Sequence, residues 1–423
     1  MKLKDVVAVN LLRFNKKINF FFLYLSFLFL LSCFYLSAVY LSRTNNSLAE
    51  WVINYSGGFV RRGLVGEIIS QISMYLKMPL RDIFLIFQIL IYFIYYLLIY
   101  WLFYSLKKNY LIYLAIFSPV FFSFGLYELE ALGRKEILMY IFFILNFYFY
   151  YKFKNINFIY VFSYLSLTLL LLSHESIIFY FLFYIFFFFI LDKKKNLRYY
   201  LLNLFLLFVV FSISLIIFLN PQSKENNLIM CNFLLTMHQE ICNFPASFIT
   251  SNISRHINEV SWKINHIITY FFIFIFGFGS IFLMIFKSQF ASFKLILNLT
   301  PSKVLLCCSL PGLLLFLVAV DSGRWTSMLY HMIAIFYFGM LRVQEIKVIY
   351  KFKIINFENI KYNFFSVLIL ILLCFSWSPK AVYHEGVGTL PAYRMVPKIK
   401  HFIHNFSDPK NLFNRLFLNM KNI

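Results

Sequence analysis

Runs of about twenty apolar residues recur along this chain, separated by short clusters of lysine, asparagine and serine. A run of that length matches the hydrocarbon core of a bilayer. The pattern predicts helices over 19–41, 83–105, 111–127, 137–151, 157–172, 176–191, 199–219, 265–286, 304–320, 326–341 and 363–378. A chain built this way is an all-α polytopic integral membrane protein with about eleven transmembrane helices. One stretch follows a different rhythm. From Gly63 to Met78 the apolar positions are Leu64, Ile68, Ile69, Ile72 and Leu76, the spacing of an amphipathic helix lying in the membrane interface, and Pro79 ends it.

The lysines and arginines orient the map. The first 18 residues carry Lys2, Lys4, Arg13, Lys16 and Lys17, and the even-numbered connections carry Lys107 and Lys108, Lys152 and Lys154, Lys193–Lys195, Lys287 and Lys347. Basic loops stay on the cytoplasmic side. The N-terminus is therefore expected inside, with external loops at 42–82 and 220–264 and an external C-terminal tail over 379–423. The membrane domain is expected to fill 1–378. The first apolar run is too long for a cleavable signal and lacks a small-residue cleavage site.

Composition narrows the class. The chain has 423 residues, 61% hydrophobic and only 13% charged, about half the charge of a soluble domain. The net charge of +22 would suggest nucleic acid in a soluble protein, but here it is explained by basic cytoplasmic loops, and no nucleic-acid partner is expected. There is no phosphate-binding glycine loop, dinucleotide fingerprint or metal-ligand spacing, so neither a cofactor nor a metal is expected. Of six cysteines, Cys231 and Cys242 share the 220–264 loop, where a disulfide is permitted on the outer face.

The unusual polar residues gather on the side predicted to be external. Asn54–Leu64 holds Gly57, Gly58, Arg61 and Arg62: glycines whose N–H groups can converge on an anion, beside guanidinium forks that suit phosphate. Gly133-Arg134-Lys135-Glu136 opens a helix with two cations, a second anion-binding pattern. Ser173-His174-Glu175 joins two apolar helices with almost no loop, so His174 or Glu175 could act as a general base. Asp321-Ser322-Gly323-Arg324-Trp325 offers a cation and an aromatic platform. Each has a plainer reading: arginine and lysine snorkelling to lipid phosphates, a helix cap from Ser173, an Asp321–Arg324 pair. Charged groups at membrane depth are expensive, and these four islands, with Tyr383-His384-Glu385-Gly386 in the tail on the same face, suggest one shared cavity.

These islands, set in a many-helix Phe/Ile-rich chain, resemble the multispanning polymerases of bacterial O-antigen and capsule pathways, the Wzy class. The resemblance implies a glycosyltransferase of the bacterial inner membrane that joins undecaprenyl-diphosphate-linked oligosaccharide repeat units. Arg61, Arg62, Arg134, Lys135 and Arg324 would hold the leaving diphosphate, and Glu175 or His174 would serve the acceptor hydroxyl. The bilayer, a flippase and a chain-length regulator would be its partners. The chain departs from the class in one respect: its 220–264 loop holds only Lys224, Arg255 and Lys263 as cations. Two other readings stand beside this one. One is a membrane glycosyltransferase of the GT-C type using a polyprenyl-phosphate sugar, although the first external loop has no paired acidic motif. The other is a flippase or exporter of lipid-linked glycan.

Overall fold

The computed structural model describes residues 20–41, 50–106, 110–128, 131–192, 197–220, 223–238, 263–291, 299–318, 321–348, 364–382 and 387–389. The protein is mostly helical, and among the described residues five helices are long and apolar enough to cross a membrane. These are α1 (Phe20–Leu41), α3 (Leu80–Phe103), α7 (Ile156–Ser173), α9 (Leu197–Leu219) and α11 (Ile264–Phe286). The helix expected in the interface forms as α2 (Gly63–Leu76), closed by a left-handed Lys77 just before Pro79. α6 (Glu136–Phe153) and α14 (Ser322–Arg342) are equally long but carry charge at both ends.

Several expected spans are broken, each for a local reason. The run 111–127 becomes α4 (Tyr110–Ile116), a turn through Pro119, and the four-residue α5 (Phe124–Tyr127). A residue before proline avoids the helical region, which stops α4 early. The freed polar groups find partners: Ser118 Oγ donates to the Gly277 carbonyl of α11 at 2.9 Å. The run 176–191 begins as a 3-10 turn (Glu175–Tyr180) and continues as α8 (Phe181–Leu191). The run 304–320 divides into α12 (Pro301–Leu313), which contains Pro311, and α13 (Leu315–Val318). Part of the long 220–264 connection is itself helical, as α10 (Lys224–His238).

The fold is not purely helical. β1 (Ser288–Phe290) pairs antiparallel with β2 (Ile346–Val348), tying the end of α11 to the end of α14. After α15 (Phe364–Phe375), β3 (Trp377–Pro379) pairs with β4 (Val387–Thr389). β3 runs across the expected boundary at 378, and the chain beyond it returns to the bundle. Gly323 N–H donates to the Ala381 carbonyl at 3.1 Å, and a Cβ at Gly323 would lie 1.7 Å from the Lys380 carbonyl oxygen. Only glycine permits that approach.

α14 is the axis of the molecule. Nearly every residue from Ser322 to Met340 is buried, which marks a helix enclosed by protein on all sides. It packs on α3, α6 and α12. Chain direction then fixes what meets where. The starts of α3, α6 and α14 and the ends of α1 and α7 share one end of the bundle. At the opposite end, Arg342 is boxed by Trp101, Tyr104 and Tyr151, with ring centroids 5.4, 4.6 and 5.2 Å from its guanidinium carbon. By contrast α9 buries few of its side chains and presents apolar residues such as Leu201, Phe208 and Phe218 outward.

Candidate functional site

All four polar islands meet at the first end of the bundle. Arg62 precedes α2 with φ of 67°, a left-handed conformation that an arginine rarely adopts. Its surroundings account for it. The Arg62 carbonyl accepts a hydrogen bond from Lys135 Nζ at 2.6 Å, while its guanidinium forks onto Glu175, Nε to Oε2 at 2.7 Å and Nη2 to Oε1 at 2.6 Å. Strain of this kind persists only where neighbours over-determine the geometry, and it concentrates at functional sites. Arg61 lies 3.5 Å from the same Glu175.

Glu50 is the second hub. One of its oxygens is bonded by Arg134 and lies 3.4 Å from Arg62 Nη1. Burial alone would raise the Glu50 carboxyl, but Arg134 and Arg62 outweigh it and hold the group well below the usual carboxylate range. Trp51, the next residue, is fully buried and donates its indole N–H to the Gly133 carbonyl. Gln88 donates to that same carbonyl at 3.2 Å, and Tyr92 accepts the Gly133 N–H at 2.9 Å. The first loop and the α6 entry are thus locked together.

Glu136 is the third hub. It is the first residue of α6, where a carboxylate faces the positive end of the helix dipole. Arg324 Nε lies 3.1 Å from its Oε1 and His174 Nε2 lies 3.6 Å from it. Arg324 also pairs with Asp321 at 3.1 Å and stacks over Trp325, 4.7 Å from the ring centroid. Arg324 in the first turn of α14 and Lys135 at the cap of α6 both oppose a helix dipole, so each depends on these carboxylates.

Lys135 is 0% exposed, with its ammonium 5.9 Å from the Trp51 ring. Burial pushes it down to about 7, with Glu50 acting against that shift. His174 caps the 3-10 turn, its Nδ1 accepting the Ser176 N–H at 3.3 Å. Burial and then Arg62 push the imidazole down to about 4, so it is neutral at physiological pH.

Beside these hubs opens a small, partly open cleft. Arg134, Glu136 and Arg324 form its charged side, and Tyr92, Tyr95, Tyr96, Tyr140 and His331 line its depth. His331 stacks flat on Tyr140 at 4.1 Å and bonds the Tyr95 hydroxyl at 2.9 Å. Phosphate or carboxylate chemistry at the charged side with an uncharged hydroxylated or apolar group beyond it is what such a wall can hold.

The structure brings Arg61, Arg62, Arg134, Lys135, His174, Glu175, Asp321, Arg324 and Trp325 into one cluster. It gives the glycines a different task from the expected anion cradle. Gly58 N–H closes a turn onto the Tyr55 carbonyl at 2.9 Å, and a Cβ at Gly57 would lie 2.0 Å from the Asn226 carbonyl of α10. Glu67, four residues from Gly63, binds Tyr55 N–H and Gln71 and, among the described residues, makes no arginine pair. Ser173 donates to the Leu169 carbonyl and leaves capping to His174. Cys231 is disulfide-bonded, and Cys242 lies outside the described residues.

Sequence reasoning passed over Glu50 as an isolated acid, and it read Glu136 only as the end of an anion-binding island. No spacing signals either residue; the clue to Glu136 is an acidic residue directly after two cations at a helix start. Glu50, Glu136 and His174 bring one ligating atom each within 4.8 Å of one another, a triad no sequence motif announces. Compared with known family models, curated proteins and solved structures, the chain matches none.

Proposed function

We propose that this chain is a membrane glycosyltransferase that takes its glycosyl group from a polyprenyl-diphosphate-linked donor, and that it polymerises lipid-linked repeat units at the outer face of a bacterial inner membrane. About eleven spans with a cytoplasmic N-terminus, as the basic loops indicate, put the charged cluster outside on this reading. The observation that carries the reading is the charged side of the cleft. Arg134 and Arg324 face a single recess with Glu136, and its depth is lined by tyrosines. Departure of a diphosphate needs fixed cations where negative charge develops, in a site with little water. No nucleotide and no metal enters that requirement.

A second reading is favoured by Glu50. A single-sugar transferase using a polyprenyl-phosphate donor is expected to carry an acidic pair in the loop after its first helix; that loop has no paired motif here, but its Glu50 lies at the centre of the cluster. One experiment separates the two. The purified chain in proteoliposomes is given undecaprenyl-diphosphate-linked oligosaccharide, then a polyprenyl-phosphate monosaccharide with an acceptor glycan. A ladder of products from the first supports polymerisation. A single addition from the second supports the alternative. Transport of the intact lipid-linked glycan across the bilayer without either product overturns both.

A further inference from the structure

The buried notch between Glu136, His174 and Arg324 contains polar atoms of both signs that make no hydrogen bond. Glu50 Oε2 and both oxygens of Glu136 are buried acceptors without one, and His174 Nε2 and Arg324 Nε are buried nitrogens without one. The tautomer of His174 follows from its neighbour. The Ser176 N–H, 3.3 Å from Nδ1, can only donate; with the Ser176 hydroxyl at 2.7 Å donating to the same nitrogen, a neutral imidazole carries its proton on Nε2. The notch therefore offers two N–H donors and three carboxylate acceptors.

That mixture selects the ligand. A divalent cation would satisfy the carboxylates but would meet Nε2–H and a guanidinium. To ligate it, His174 would have to move its proton to Nδ1, turn that nitrogen into a donor to the Ser176 hydroxyl and give up the Ser176 N–H. Metal ligands must also approach to about 2.0–2.2 Å. The three ligating atoms lie within 4.8 Å of one another, but the guanidinium hydrogens of Arg134 and Arg324 already face the Glu50 and Glu136 carboxylates. An anion would satisfy the donors but would lie against the carboxylates. A hydroxyl group does both, donating to a carboxylate while accepting from an N–H, and atoms within 4.8 Å of one another can share one at hydrogen-bond distances of about 2.5–3 Å.

We infer that this notch binds a hydroxyl of the glycosyl acceptor and that Glu136 is the catalytic residue that takes its proton, an assignment that rests on the glycosyl-transfer reading above. Glu175 is unsuited to the task, since both of its oxygens are held by Arg62. Glu136 lines the cleft and has both oxygens free of hydrogen bonds. In the step, the acceptor O–H bond breaks and its proton passes to the Glu136 carboxylate. The oxygen pair forms the bond to the anomeric carbon. The bond from that carbon to the diphosphate oxygen breaks, and its electron pair leaves on the diphosphate, facing Arg134 and Arg324. Glu136 then returns its proton to solvent. His174 is a positioning residue that fixes the hydroxyl through Nε2–H.

The test uses full-length wild type, Glu136→Gln and Glu136→Asp in proteoliposomes with a polyprenyl-diphosphate-linked oligosaccharide. Donor binding to Glu136→Gln should stay within about threefold of wild type while transfer falls by roughly 10²–10⁴-fold. Azide, a nucleophile that needs no base, should restore turnover as glycosyl azide. Glu136→Asp should keep part of the transfer activity with the charge beside Arg324 preserved. Transfer by Glu136→Gln within tenfold of wild type overturns the assignment. So does loss of transfer with donor still bound and no glycosyl azide formed. Binding of manganese alone to wild type, abolished in Glu136→Gln, would make the notch a metal site and overturn it as well. Wild type that neither binds the donor nor transfers from it refutes the glycosyl-transfer reading itself, whatever the variants do.

Discussion

Arg62 and Glu175 meet as two parallel forks, at 2.7 and 2.6 Å, although 113 residues separate them in the chain. The pair staples the loop before α2 to the turn between α7 and α8. It is partly buried, and removing Arg62 would leave Glu175 with the longer Arg61 contact at 3.5 Å in place of two short charged hydrogen bonds. Arg62→Ala should therefore cost about 1–3 kcal/mol of stability, read as a lowered unfolding temperature in detergent. Adding Glu175→Gln should recover part of that loss, and additivity of the two changes would show that the pair is not coupled.

Lys135 makes stability depend on pH with a definite sign. Its folded value near 7 lies below the ordinary lysine value, so above pH 7 the unfolded chain holds a proton that the folded chain has lost. Stability then gains from this residue as pH rises from about 7 toward about 10.5, and gains nothing from it below 7. Lys135→Met should flatten that rise. The comparison is a set of thermal melts across that range, and equal slopes for the two proteins would refute it.

Arg324 combines an ion pair to Asp321, a contact with Glu136 and a stack on Trp325. Lysine cannot reproduce that planar fork. Arg324→Lys should lower kcat/KM for a diphosphate-linked donor by roughly 10²-fold, in the range seen when one stabilising donor is lost from a transition state. An unchanged kcat/KM would remove Arg324 from the charged side of the site.

Gly57 tests how α10 is held. A side chain there would collide with the Asn226 carbonyl. Gly57→Val should displace α10 at a cost of about 1–3 kcal/mol and expose it to protease. A digestion pattern identical to wild type would mean that α10 docks elsewhere.

Much of the helical frame was legible from the sequence. α1, α3, α7, α9 and α11 lie within a few residues of the predicted runs, because length and apolarity leave few alternatives in lipid. Pro119 and Pro311 lie inside apolar runs, and hydropathy is blind to them, so the breaks near both were missed. α10 was hidden because its alternation is weak and it buries little beyond Met230 and Leu234. The arginines of the site were visible as oddities in apolar surroundings. Their carboxylate partners were not, since Glu50 and Glu136 gain meaning only from residues far away in the chain. The glycines next to Arg61 were read as a ligand cradle, whereas their neighbours are the Tyr55 carbonyl and α10.

The order in which the cluster's members leave the ribosome has a consequence for biogenesis. Glu50 emerges first and finds Arg62 and Arg134 soon after, so those charges can neutralise one another while insertion is under way. Glu175 follows and captures the waiting Arg62. Glu136 has no guanidinium of its own until Arg324 arrives nearly two hundred residues later, and Gly323 is sealed only when Ala381 closes over it. A nascent chain that stalls before α14 would carry Glu136 without the guanidinium that meets it in the folded protein.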